Sequence, residues 1–344
     1  MNKITFNRRF FIKFILIFFF NKLTFSKNIN SIPDKLTIIF GSCSNQNKEM
    51  KHWKEIITYK PNYIFLLGDN VYGDFFDKNA KKLKEAYDKL LLNKYFQIIK
   101  EKIPIISIWD DHDYGINDGD KNWIYKEKAK ELFLNFYDIA PDDIRRKREG
   151  IYKSWNLFIK EKKIKVIALD VRYFKDTFKR NYSTEIKKKY IEDNSANKTI
   201  LGPKQWIWLK KQLDDDFDLV ILLSSFQVLS KSHGWEKWNN FPIERDRLIN
   251  LLNKKKVPKL ILSGDRHSGA IYKHDKTNIY EVTASSFNQK EYSYKELDPL
   301  RVGKFINQNN FGLLEITSTS ISVSIISGTN INKKEYSKLK LYFI

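Results

Sequence analysis

From residue 35 onward, short and almost unbroken apolar runs alternate with longer stretches whose apolar positions recur every three to four residues. The runs "KLTIIFGSC", "YIFLLGD", "IPIISIWDD", "KVIALDVR", "DLVILLSS" and "KLILSGDRH" predict six strands. Their lack of polar alternation predicts cover on both faces. Between them, residues 47–60, 80–102, 120–139, 202–216 and 244–256 carry helical periodicity. Asn47 is placed to cap the first helix, and Pro203 stands near the start of the fourth, where proline is favoured. "IYEVTASSF", "FGLLEIT" and "SISVSII" follow near the end and predict a pairing meander. The alternation predicts one α/β layered domain over residues 35–344, and nine strands fit two sheets better than one. The polar stretch 179–199 reads as a surface excursion.

The first thirty residues break this pattern. They carry six Lys or Arg, no acid, and an apolar run, "FILIFFF", too short to span a bilayer. That is the layout of a signal peptide over residues 1–30. Within it, "NRRFFIK" resembles the twin-arginine export motif, which implies the twin-arginine machinery as a partner and a periplasmic or extracellular destination. The alternative is an ordinary export signal with a chance pair of arginines. No small-x-small cleavage site is visible, so an uncleaved segment would anchor the chain to the membrane.

Charge changes the picture less than its size suggests. The chain carries +21 overall, and about +15 remains without the first thirty residues. Because the lysines are scattered, the expectation is a solvated surface with no dedicated nucleic-acid partner. A loose association with an anionic membrane surface fits the same balance. The single cysteine, Cys43, excludes an intramolecular disulfide.

Chemistry concentrates where the predicted strands end. "GSCSN", "GDNVYGD", "WDDHDYGIND" and "SGDRHSG" follow the first, second, third and sixth runs. Together they bring Cys43, Asp69, Asn70, Tyr72, Asp111, His112, Asn117, Asp265 and His267 to the end of the sheet where α/β proteins place their sites. One such cluster could be a turn, and one histidine a structural residue. Four clusters at the same end predict a metal site.

"GDNVY", "WDDHD", "LDVRYF", "LGPKQWIWL" and "SGDRHSG", in this order, resemble the alkaline phosphatase D (PhoD-like) group of calcineurin-type metallophosphoesterases. The resemblance implies a four-layer α/β/β/α sandwich, two mixed sheets flanked by helices. It also implies hydrolysis of phosphomonoesters or phosphodiesters by in-line attack of a metal-bound hydroxide. On this resemblance Asp69 bridges two metals, while Tyr72, Cys43 and His267 complete an Fe3+ site. Asp111 and Asp265, with Asn117 and Asn70 as lesser candidates, form a harder site. Ca2+ is implied there, and Mg2+ or Mn2+ fit the same oxygens. His112 stands where the family carries a catalytic imidazole, and Arg172 is the expected phosphate clamp.

The usual middle histidine is replaced by "LLSSFQVLS", leaving Ser225 or Gln227 to face the site. "SHGWEKWNNF" places His233, Trp235 and Trp238 either at the substrate mouth or in a loop packed into the core. His52 and His274 read as surface residues. The expectation is therefore an exported, metal-dependent phosphoesterase acting on a phosphate ester. Rival readings are a phospholipid-directed phosphodiesterase and a non-catalytic, polyanion-binding envelope protein.

Overall fold

The apolar runs form strands whose successive side chains enter two different cores. The computed structural model describes residues 33–183, 188–290, 297–327 and 334–343; the expected signal segment, residues 1–30, lies outside them. One sheet contains β1 (Lys35–Gly41), β2 (Tyr63–Leu67), β3 (Ile105–Ile108), β11 (Asn310–Thr317), β12 (Ser320–Ser327) and β13 (Lys334–Tyr342). Its order is β13-β12-β11-β1-β2-β3, parallel through β1, β2 and β3 and antiparallel elsewhere. The second contains β4 (Lys153–Ile159), β5 (Lys162–Ala168), β6 (Leu219–Ser224), β7 (Lys259–Ser263), β8 (Gly269–Lys273), β9 (Ile279–Ala284) and β10 (Arg301–Ile306). Its order is β10-β8-β9-β7-β6-β5-β4, with β5, β6, β7 and β9 parallel.

The two-residue alternation of a strand explains the unbroken apolar runs. On β1, Ile38 and Phe40 enter the core between the sheets, whereas Ile39 faces the helices outside. On β6, Ile221 and Leu223 point inward while Val220 and Leu222 face the opposite helical layer. Full burial of each such side chain contributes roughly 1.5–3 kcal/mol, so strands with two apolar faces are strongly held. Outside the first sheet lie α1 (Lys51–Thr58), α2 (Lys81–Leu91), α3 (Lys94–Lys102) and α5 (Lys126–Phe136), anchored by Trp53, Phe96 and Phe133. Outside the second lie α7 (Gly202–Leu213) and α8 (Pro242–Asn253), anchored by Trp206, Leu209 and Leu248. The layers run α/β/β/α. Two short helices, α4 (Asp111–Tyr114) and α6 (Ile144–Lys147), complete the set.

Several local expectations change. The helix expected over residues 80–102 breaks at Asn93, whose Oδ1 accepts from the Tyr95 and Phe96 amides at 3.0 and 3.1 Å and caps a new helix. α1 begins at Lys51, so Asn47 is not its cap; the Asn47 amide instead donates to Asn45 Oδ1 at 2.9 Å in a turn. His52 is buried, not on the surface. It stacks on Phe287 and shares a hydrogen bond with Ser44 at 3.1 Å. In the 179–199 excursion, Tyr190 is buried and donates to Asp118 at 2.7 Å, which ties that loop to the site. No helix among the described residues is long and apolar enough to cross a membrane.

Candidate metal centre

The site lies beyond the carboxyl ends of β1, β2, β3 and β7, where the chain must leave each strand abruptly. Gly68 does so with φ +99°, and a Cβ there would lie 2.5 Å from Asp110 Cβ and 2.7 Å from the Asp110 amide nitrogen. Only glycine fits that passage. The donors themselves adopt left-handed backbone: Cys43, Asp69, Asp265 and His267 have φ of 58°, 48°, 67° and 51°. Such conformations are costly for residues with a Cβ and gather at functional sites.

Two buried carboxylates shape the loops from behind. Asp113 accepts the Asp69 and Asn70 amides, each at 3.2 Å, and the Asn70 side chain at 2.6 Å. Asn70 also donates from Nδ2 to the Ile108 carbonyl at 2.9 Å, so its side-chain nitrogen holds β2 against β3 and Oδ1 is left as the atom that could face a cation. Asp170 accepts from Trp109 Nε1 at 2.9 Å and from the Arg172 and Tyr173 amides.

In front of this frame, side chains from both sheets meet. Tyr72 Oη donates to Asp69 Oδ2 at 3.2 Å and lies 3.2 Å from His267 Nε2. Cys43 Sγ donates to the same Asp69 oxygen at 3.6 Å and contacts Ser42 and Ser285 at 3.3 and 3.4 Å. Donor atoms of Cys43, Asp69 and His267 all lie within 4.8 Å of one another, as do those of Asp69, Asp111 and His112. A third group, Asp111, Asp118 and Glu236, satisfies the same limit. Asp69 therefore belongs to two donor groups; its Oδ2 accepts from Cys43 and Tyr72, and its Oδ1 from the His112 amide at 3.3 Å.

Electrostatics fits cations to these groups. Burial pushes the Cys43 thiol up to about 12 and drives the Tyr72 and Asp69 protons to well above their ordinary range. Asp265 is raised as well, by burial and by Asp110 and Asp111 beside it. Burial holds His267 down at about 4, so its imidazole is neutral and free to ligate. For His112, burial alone would lower the imidazole. Asp111, Asp69 and Asp74 overcome that and hold it at about 11. Asp110 Oδ2 and Asp111 Oδ1 are buried without hydrogen-bond partners among the described residues. A concentration of buried acids with orphaned oxygens is what cations would neutralise.

The cavity in front has a volume of about 180 Å³. Asp69, Asp111, His112, Asn117, Asp265 and His267 line it, with Trp235 at the rim, one of the two places expected for its loop; four further lining residues carried no expected role: Asp118, Lys189, Glu236 and Arg266. Asp118 and Arg266 lie within the "WDDHDYGIND" and "SGDRHSG" clusters, whereas Lys189 and Glu236 come from loops with no strand-end signature.

Three expected substrate contacts do not reach this cavity. Arg172 is fully buried, pinned between Asp110 and Glu236 at 2.6 Å each. It neutralises acids behind the wall and so is not positioned as a phosphate clamp. Gln227 is buried with its amide donated to Thr283 at 2.8 Å, because the chain turns inward after β6. His233 is buried and accepts from the Trp235 amide at 3.2 Å. The loop thus divides: Trp235 faces the mouth, while His233 and Trp238 anchor it.

Residues 38–325 match the family described as PhoD-like phosphatase. The chain belongs to that family. No curated protein sequence matches it significantly. Among solved structures, the one titled "Structure of PhoD" superposes with a TM-score of 0.72 at 15% identity, covering 91% of this chain and 70% of that one. GAP50, described as the anchor in the inner membrane complex of Plasmodium, gives 0.60 at 15% identity, covering 91% and 90%. The purple acid phosphatase PPD1 of yellow lupin (Lupinus luteus) gives 0.62 at 11% identity, covering 90% of this chain and 54% of that one. These likenesses concern the fold. Family membership makes the protein a metal-dependent phosphoric ester hydrolase, and the clustered donors are its candidate ligands.

Proposed function

We propose that the chain is an exported phosphoesterase whose centre pairs Fe3+ with a hard divalent cation, and which hydrolyses phosphomonoesters or phosphodiesters. One observation carries this reading. A thiol and a phenol donate to one oxygen of Asp69, and a neutral imidazole lies 3.2 Å from that phenol, the three coming from separate segments of the chain. Thiol and phenol are poor ligands while protonated, and a trivalent ion is suited to displacing protons that burial otherwise holds. The neighbouring position is rich in carboxylates. Asp69, Asp111 and Asp265, with Asn117 near them, favour Ca2+, Mg2+ or Mn2+ over zinc.

When bound, such a metal pair supplies Lewis acidity toward the phosphoryl group and acidifies a water nucleophile. The chain's own residues supply the rest. His112 is oriented by Asp74, which lies 3.0 Å from Nδ1, and this leaves Nε2 as the nitrogen available to protonate a leaving oxygen. Lys189 and Arg266 bring positive charge to the cavity wall, the role expected of Arg172. Trp235, 46% exposed at the rim, offers a flat apolar face to the organic part of an ester. A similar fold serves as an anchor in GAP50, so fold alone does not argue for catalysis. The retained donors do. The "NRRFFIK" stretch supports twin-arginine export.

The test is elemental analysis and visible absorption of the metal-loaded protein, with hydrolysis of p-nitrophenyl phosphate and its bis-ester. Iron(III) held by thiolate and phenolate predicts a charge-transfer band. Cys43→Ala should weaken that band and lower turnover by about 100-fold or more. An active, colourless, iron-free protein, or an unchanged Cys43→Ala variant, would remove the iron assignment. Faster hydrolysis of detergent-dispersed phospholipid than of either small ester would point to the phospholipid-directed reading.

A further inference from the structure

The opposite end of the second sheet presents a different kind of site. Lys259 is the first residue of β7, whose far end carries the Asp265 and His267 loop, so roughly 16 Å of strand separates the two. It pairs with Val220 on β6 and Ile279 on β9, both buried beneath the helical layer. An aliphatic side chain would complete that surface. Instead a lysine stands there, the residue only 3% exposed, with its ammonium directed to the cleft it lines. Among the described residues its ammonium has no hydrogen bond and no ion pair, and burial alone pulls its pKa down. A largely desolvated lysine without an anion destabilises a fold, and its stem carries the charge only as far as the floor of the cleft.

The surroundings deepen the deficit. Lys259 lines a cleft of about 480 Å³ together with Lys255 and Lys256, just past the end of α8, and Lys273 and Lys276 from the β8–β9 hairpin. The only acid on the wall is Asp275. Five lysines against one aspartate leave a net charge of about +4, which calls for a multiply charged anion. Lysines act as compact point charges toward phosphate and need no planar match.

We propose that this cleft is a second, non-catalytic binding site for a phosphate-bearing anion, with Lys259 at its base. The phosphate belongs either to a soluble anion or to a lipid headgroup, and both present the same chemistry to the cleft.

The experiment uses the metal-loaded full chain and two probes, inorganic phosphate and phosphatidylglycerol vesicles. Binding of each is measured for wild type, Lys259→Met and the rim variant Lys256→Gln/Lys276→Gln. Wild type should bind phosphate at two sites, and Lys259→Met should weaken one of them about tenfold or more. That substitution should raise thermal stability without phosphate and abolish the part of the phosphate-induced stabilisation due to this cleft. Turnover of p-nitrophenyl phosphate should stay within about twofold of wild type, because the metal centre is untouched. Vesicle binding lost in the same variants assigns the anion to lipid; phosphate binding without vesicle binding assigns it to a soluble species. Phosphate and vesicle binding that are both unchanged in the rim variant and in Lys259→Met would overturn the proposal. Should Lys259→Met fail to fold, the rim variant decides alone.

Discussion

Replacing Arg172 with Met separates two roles that predict opposite measurements. The guanidinium is fully buried, donates to Asp110 Oδ1 and to Glu236 Oε2 at 2.6 Å each, and reaches the Gly119 carbonyl at 3.3 Å. Glu236 would keep Lys175, 3.1 Å away and itself buried, so the loss falls mainly on Asp110. Asp110 would retain the Ser225 hydroxyl at 2.5 Å but no cation in contact. Removing one partner of a buried ion pair typically costs about 3–5 kcal/mol, since the remaining charge stays desolvated. Urea denaturation should show a loss of that size for Arg172→Met. Arg172→Lys should recover only part, because one ammonium cannot fork to both acids. In the fraction that folds and retains metal, KM for p-nitrophenyl phosphate should stay within about twofold. A clamp predicts the reverse. Stability would then be nearly unchanged, and loss of a charge-assisted contact of about 1.5–3 kcal/mol would appear as a rise of roughly 10–100-fold in KM. That second pattern would refute the structural role.

Other consequences are as direct. Gly68→Ala meets both a φ of +99° and the Asp110 backbone, so it should destabilise by about 1–3 kcal/mol and lower metal content, read by urea denaturation and elemental analysis. Glu281 is fully buried, accepts the Val228 and Leu229 amides at 2.8 and 2.6 Å, and has its pKa raised by burial. The native state therefore takes up this proton before the unfolded chain does, and the residue's contribution to stability grows as pH falls from above the raised value to below the ordinary glutamate range. Glu281→Gln should remove that pH dependence; parallel stability curves for variant and wild type across this range would contradict it.

The strands that carry the centre were readable because both their faces are buried, which leaves runs such as "IIF" and "VILLS" almost free of polar residues. The edge strands β4, β10 and β13 were not. β4, "KSWNLFI", and β13, "KEYSKLKLY", mix polar residues into every second or third position; β8, inside its sheet between β10 and β9, was missed because it is a five-residue strand directly behind the His267 loop. The candidate ligands were legible for the same reason as the strands: a Gly-Asp or Asp-His pair after an apolar run has a definite place. Lys189 and Glu236 reach the cavity through loop paths that no periodicity encodes, while Asp118 and Arg266 stand inside the strand-end clusters beside the expected ligands. Arg172 was misplaced because its motif marks a strand end correctly but not the direction of its side chain. Two acids at 2.6 Å hold that side chain away from the opening.

The donors at the centre are divided between layers: Cys43, Asp69 and Tyr72 follow strands of one sheet, and His267 follows a strand of the other. Neither half alone brings all of these candidate donors together, so on the proposed reading cation capture at the Cys43 group waits until the two halves of the sandwich have closed. Metal uptake then acts as a latch on the finished molecule, and a chain that carries its ions has thereby passed an assembly checkpoint written into its own architecture.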